Sequence, residues 1–173
     1  MGDAAGRDGS RGAARAAPCR VREASPDDLG TVVAFRMALL REHAGHPVYG
    51  RLHPDAELRA PALFARQMES PADAFFIAER DGTAVGLLRC TESHASPLLL
   101  PERYCYISSV YVAPAHRRHG VLRAMVQAAE QWCAARGLTE MRLHNVEGTA
   151  AAPAWSALGF DVVEQVRGRR LET

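Results

Sequence analysis

The chain has 173 residues, 47% of them apolar and 24% charged, with a formal net charge of +1. That length and mixture suit one folded domain with a real core, and the near-neutral balance excludes a global pull toward nucleic acid or a membrane surface. All 21 basic residues are arginine, which also excludes a Schiff-base mechanism and a P-loop, since both need a lysine amine.

Residues 1–17, MGDAAGRDGSRGAARAA, offer no bulky apolar side chain to offset the entropy of ordering, and read as a flexible tail ahead of a domain spanning 18–173. They lack the apolar run of a secretion signal, and no later stretch is long and apolar enough to span a bilayer. Cys19, Cys90, Cys105 and Cys133 are scattered and form no CxxC pair. They read as free thiols in a reducing compartment, hence a cytoplasmic protein. His43 with His46, and His116 with His119, stand three apart without a further ligand in register, so no metal site is expected.

A short strand starts at Cys19. Ser25 as N-cap, Pro26 at the first helical position and Asp27 and Asp28 in the first turn then open an amphipathic helix that carries Leu29, Val32, Val33, Phe35, Met37, Leu39 and Leu40. After a polar stretch, a second helix is expected from Ala56 to Met68. Two apolar runs flank Asp81-Gly82, the signal of a β-hairpin. Tyr104 to Val112 is apolar and β-branched on both faces apart from Ser108 and Ser109, as in an inner strand covered on both sides. Val121, Leu122, Met125, Val126, Ala129, Trp132 and Cys133 recur at helical spacing up to Gly137, which supplies the stop. A strand from Glu140 to Val146, a short helix from Thr149 to Leu158 and a last pair of strands after Gly159-Phe160 complete an α+β chain with a strand-helix-strand crossover.

Between the inner strand and the long helix lies APAHRRHGVLRAM, residues 113–125. The first N–H groups of a helix have no internal partner and carry the positive end of its dipole. A glycine beside Arg117, Arg118 and His119 lets an anion approach that backbone closely, so the turn fits a diphosphate.

This stretch resembles the RxxGxG/A signature of the GNAT acyltransferase superfamily, with Arg117, Gly120 and Leu122 at its defining positions. VYVAP before the turn and PAWSALGF near the end resemble two further segments of that family, and the similarity runs from about Cys19 to the C-terminus. It implies a three-layer fold with a central mixed sheet of six to seven strands and about four helices. It also implies acetyl-CoA as co-substrate: the backbone of Val110, Tyr111 and Val112 would pair with the pantetheine arm, and the turn at Arg117, Arg118, His119, Gly120, Val121, Leu122 and Arg123 would hold the pyrophosphate. Two diverging parallel strands would leave a wedge for the thioester. The acetyl group would pass directly to an amine of a small molecule or peptide, without a covalent enzyme intermediate. Relatives often form homodimers.

The chain departs from the family pattern in several places. Leu122 replaces a small residue and crowds one side of the turn. Trp155 stands where relatives often use a tyrosine to protonate the departing thiolate, and an indole N–H can hydrogen-bond to sulfur without giving up its proton. Gly148 occupies a position where asparagine is common, and Ser108 and Ser109 replace a carboxylate base. His144 is then the candidate base, since histidine titrates near ~6.5; a structural histidine at a strand end is the equal alternative, and Glu147 is a weaker candidate. Tyr49, His46 and His53 are surface residues or acceptor-pocket residues. Trp132 reads as core. Arg167, Arg169 and Arg170 read as a solvated strand edge, with an acidic acceptor or CoA's 3′-phosphate as the other options. A non-catalytic acyl-CoA-binding regulatory module is the alternative function.

Overall fold

The computed structural model describes residues 18–146, 149, 151–169 and 171. Strand β1 (Arg20–Glu23) leads through a 3₁₀ turn (Pro26–Asp28) into helix α1 (Leu29–Glu42). The Asp28 carboxylate accepts the Ser25 backbone N–H at 2.8 Å, which satisfies a donor at the helix entrance. Helix α2 (Ala56–Met68) follows, then β2 (Asp73–Arg80), β3 (Thr83–His94) and β4 (Arg103–Val112). Helix α3 (Val121–Ala135), β5 (Met141–Leu143) and α4 (Ala151–Ser156) complete the order.

The strands form one sheet in the order β1-β2-β3-β4-β5, antiparallel except for the parallel β4–β5 pair made by the α3 crossover. Asp81 and Gly82 both adopt positive φ, 49° and 73°, as the tight hairpin between β2 and β3 requires. Side chains alternate across the sheet. Phe75, Ile77 and Leu87 meet Val32, Met37, Ala60 and Phe64 of α1 and α2 on one face. Ala74, Phe76, Ala78, Leu88 and Cys90 meet Met125, Ala129, Trp132 and Cys133 of α3 on the other. Two helical layers therefore enclose a sheet whose inner strands are buried on both sides.

A bulge between Ala78 and Glu79 makes Val85 an extra residue opposite β2, and Ala113 donates its N–H to the Val85 carbonyl at 2.9 Å. Beside it, a Cβ on Gly86 would stand 3.1 Å from Val121 Cγ1 and 3.2 Å from Met125 Cε. Glycine lets the first turn of α3 settle directly onto β3.

The structure corrects four expectations. The sheet has five strands among the described residues, not six to seven. The last pair of strands after Phe160 is absent from 161–169, where Val162, Val163 and Val166 are about four-fifths exposed, at 85%, 83% and 77%. The valines have strand character, but no neighbouring strand among the described residues supplies the ladder that would hold them. The strand expected to reach Val146 ends at Leu143, and the helix expected over Thr149 to Leu158 spans Ala151–Ser156. The tail over 1–17 and the assignments made to Glu147, Gly148 and Arg170 lie outside the described residues.

Candidate active site

Strands β4 and β5 pair only from Cys105–Met141 to Ile107–Leu143. Beyond Ile107, β4 continues to Val112 with its β5 side open, so the parallel pair separates into a wedge. On its other side β4 carries a bulge: Leu87 faces Tyr111 while Arg89 faces Ser108, which leaves Ser109 and Val110 opposite Leu88 alone. Ser109 pays for this with φ 54° and is buried, a backbone cost of roughly 1 kcal/mol that the surrounding sheet holds in place. A cavity of about 1200 Å³ follows the wedge. Helix α1, the exposed side of β4, the turn before α3, His144 and α4 form its walls.

The turn presents its amides to that cavity. Arg118 and Gly120 adopt positive φ, 61° and 79°, and the backbone N–H groups of residues 118–123 find no acceptor among the described residues. The carbonyls are instead drawn backward. Arg80 Nη2 donates to the His119 carbonyl at 2.6 Å, and His119 Nδ1–H donates to the Arg117 carbonyl at 2.7 Å. The outcome is a run of unpaired donors at the positive end of a 15-residue helix, an anion cradle by construction. A Cβ at Gly120 would meet no protein atom within 4 Å. The backbone there is open to a ligand.

Val110, Tyr111, Val112, Arg117, Arg118, Gly120, Val121, Leu122 and Arg123 all border the cavity, and so do His144 and Trp155. Two of the expected residues act differently from a direct ligand. The Arg117 guanidinium donates to the Val112 carbonyl at 2.8 Å, pairs with Glu42 at 2.5 Å and lies over the Tyr111 ring at 5.8 Å. It clamps the end of β4 to the end of α1. The His119 ring is turned away from the cavity, where it holds the Arg117 carbonyl. Leu122 lines the wall and packs against the core, and its N–H stays among the free donors.

The acetyltransferase (GNAT) family model matches residues 32–160. The chain belongs to this GNAT family. It is 33% identical over 98 residues to aminoglycoside N(6')-acetyltransferase type 1 of Klebsiella aerogenes, covering 56% of this chain and 64% of that protein. The chain thus spans somewhat less than two thirds of the length of that relative. In fold it is similar to a predicted acetyltransferase of Clostridium acetobutylicum solved with acetyl-CoA, with a TM-score of 0.73, 16% identity and coverage of 88% of this chain and 96% of the other. It is likewise similar to the aminoglycoside N-acetyltransferase AAC(6')-Iy in complex with CoA, with a TM-score of 0.72, 23% identity and coverage of 92% and 99%.

In this GNAT chain His144 stands just past the point where β4 and β5 part. Its Nδ1 is 3.0 Å from the Tyr106 hydroxyl, the two rings meeting edge to face at 5.3 Å. Burial pushes the Tyr106 hydroxyl above its ordinary value, so it stays protonated at neutral pH. Trp155 is buried, edge to face with Phe160 at 5.3 Å, and part of the α3-side core as well as of the cavity wall. Of the loop residues, Tyr49 borders the cavity. His46 stacks on Tyr49 at 4.8 Å and accepts the Val48 and Tyr49 N–H groups, while His53 accepts the Asp55 N–H. Trp132 is core, as expected, with Arg136 over its ring at 4.2 Å. Arg167 and Arg169 are exposed.

The far end of the cavity holds residues that sequence reasoning missed: Arg36, Gln67 and Arg89. Arg89 is paired with Asp73 at 2.6 Å, whereas Arg36 makes no hydrogen bond or ion pair with any described residue. A signal existed for Arg36. It is a charged residue one turn after Val32 and one turn before Leu40 on the apolar stripe of α1.

Proposed function

We propose that this chain, through residues 18–173, is an N-acetyltransferase that moves an acetyl group from acetyl-CoA directly to an amine of a small molecule or peptide. The unpaired amides of residues 118–123 at the mouth of a cavity that leads to His144 carry this reading. The pyrophosphate of the donor accepts those N–H groups, and Arg118 and Arg123 add positive charge at its rim. The open β5 side of Val110 to Val112 offers backbone groups to the pantetheine arm, as an added strand would. The diverging strands leave the thioester in the wedge beside His144.

The amine attacks the thioester carbonyl carbon, the C–S bond breaks and the thiolate leaves. An alkylammonium must first lose a proton. With Nδ1–H donating to the Tyr106 oxygen, His144 Nε2 is free to take it. The Trp155 indole N–H is a hydrogen-bond donor for the departing sulfur, whose proton then comes from solvent. No covalent enzyme intermediate is needed, because proximity and orientation in the wedge supply most of the acceleration. The free thiols fit a reducing compartment, and we place the enzyme in the cytoplasm.

Mixing the protein with acetyl-CoA and a panel of amines tests the activity through release of free thiol. Tight CoA binding without release for any amine supports a non-catalytic acyl-CoA-binding module, the reading that the serines on β4 favour. His144→Ala is expected to lower kcat by about 10²-fold while the affinity for acetyl-CoA stays unchanged, with partial rescue by added imidazole. An unchanged kcat removes His144 from the reaction.

A further inference from the structure

Resting on the acetyltransferase reading above, we infer that the acceptor amine also carries an anionic group, a carboxylate or a phosphate, and that Arg36 binds it at the α1 end of the cavity. Three observations converge there. Of the five arginines that border the cavity, Arg89 and Arg117 are each paired with a carboxylate, and Arg118 and Arg123 stand at the donor turn. Arg36 is half-buried, borders the cavity and has no partner among the described residues. A planar guanidinium with five donors and no acceptor facing it, set in a concave wall, matches a carboxylate or phosphate in shape and charge.

The surroundings make the position costly unless an anion fills it. Burial pulls the Arg36 guanidinium below its ordinary value, and the nearby Arg89 adds to the effect, while the Tyr49 and Tyr106 hydroxyls oppose it. The wall also holds polar atoms without partners. Ser108 Oγ and Gln67 Oε1 are buried with no hydrogen bond, and both residues border the same cavity. A buried hydroxyl donor that shares a cavity with a bare cation suits an oxyanion, and a free amide oxygen suits an N–H of the same molecule.

The charge balance excludes the opposite kind of acceptor. Among the described residues that border the cavity, Glu42 is the sole carboxylate, and Arg117 occupies it at 2.5 Å. An aminoglycoside carries several ammonium groups and would face arginines here with no free counter-charge among the described residues. The acceptor of this chain therefore differs in charge from the one that the name of its Klebsiella aerogenes relative implies.

The test uses pairs with and without the anionic group, 4-aminobutyrate against 4-aminobutanamide and phosphoethanolamine against ethanolamine, with kanamycin as the polycation. Binding is measured by calorimetry on the CoA-loaded protein, and turnover by thiol release from acetyl-CoA. The member of at least one pair that bears the carboxylate or phosphate is expected to bind roughly tenfold or more tighter than the member without it, the worth of one charge-assisted hydrogen bond, with the same ratio in kcat/KM. Whichever pair shows the larger ratio identifies carboxylate or phosphate. Arg36→Leu brings the ratio close to one, and Arg36→Lys retains part of it and serves if the leucine variant does not melt as a folded protein. An Arg36-dependent preference in binding without thiol release keeps the anion site and overturns acetyl transfer. Thiol release with no preference, kanamycin as the best acceptor, no binding by any probe, or a ratio unmoved by Arg36→Leu overturns the anion site.

Discussion

Gly120 holds φ 79° with no protein atom within 4 Å of the position a Cβ would take, so two different costs can be separated there. Gly120→Ala meets only the backbone penalty of a left-handed residue, about 1 kcal/mol of stability. Gly120→Glu carries the same penalty and also sets a carboxylate among the free amides of 118–123, against a diphosphate. We expect it to weaken CoA binding by about 2 kcal/mol, roughly thirtyfold in Kd, relative to the alanine variant in calorimetry. Equal affinities for the two variants would move the cofactor away from this turn. The glycine and its neighbours were readable from the sequence because a strand, a glycine among arginines and a helix start have one physical use together. The destination of Arg117 was not. A motif fixes a residue's position along the chain, whereas its partners, here Val112 and Glu42, come from the tertiary fold. Arg36 was hidden for a related reason: periodicity shows that α1 has an inward stripe, but not that part of the stripe looks onto a cavity.

The elements with strong local signals, α1, α2, α3 and the β2–β3 hairpin, emerge where the apolar spacing and the turn residues put them. Strand β5 and the segment after Phe160 depend on what lies beside them. Beyond Leu143 the β4 edge is left to the wedge, and Val162, Val163 and Val166 find no ladder. Pattern alone therefore overstates the sheet at the side where the cleft opens. Packing between elements is similarly invisible in one dimension, and Gly86 is the case in point. Gly86→Ala would force Val121 Cγ1 and Met125 from 3.1–3.2 Å to ordinary contact, lifting the first turn of α3 off β3. The expected cost is about 1–2 kcal/mol, seen as a fall in Tm of about 2–6 °C, with weaker CoA binding because the amide donors move with the helix. A loss of stability with no change in CoA affinity would show that the turn keeps its shape independently of the helix seat.

Across the molecule, β1, the entrance to α1 and β2 are joined by a single guanidinium. Arg22 donates to both oxygens of Asp28 at 2.7 and 2.8 Å and to Glu79 at 2.8 Å. The Arg22 bond holds the Asp28 carboxyl far below the usual carboxylate range. A depressed carboxylate contributes stability that is complete above its unfolded value, near ~3.9, and that is lost as pH falls further. Asp28→Asn is expected to lower stability by about 1 kcal/mol at pH 7, modest because the pair lies close to solvent, and the gap to the unsubstituted protein should narrow near pH 3. Urea midpoints at the two pH values measure it; a gap of the same size at both would assign the effect to the cap and not to the charge.

The parting of β4 from β5 has a kinetic meaning as well. Only three residue pairs join the two strands, and β4 runs on for five residues beyond the last of them. A nucleotide thioester that docks along that stretch has no β4–β5 ladder to unzip. Its capture is then governed by diffusion and by the displacement of solvent, and little of the interaction energy is diverted into reshaping the sheet.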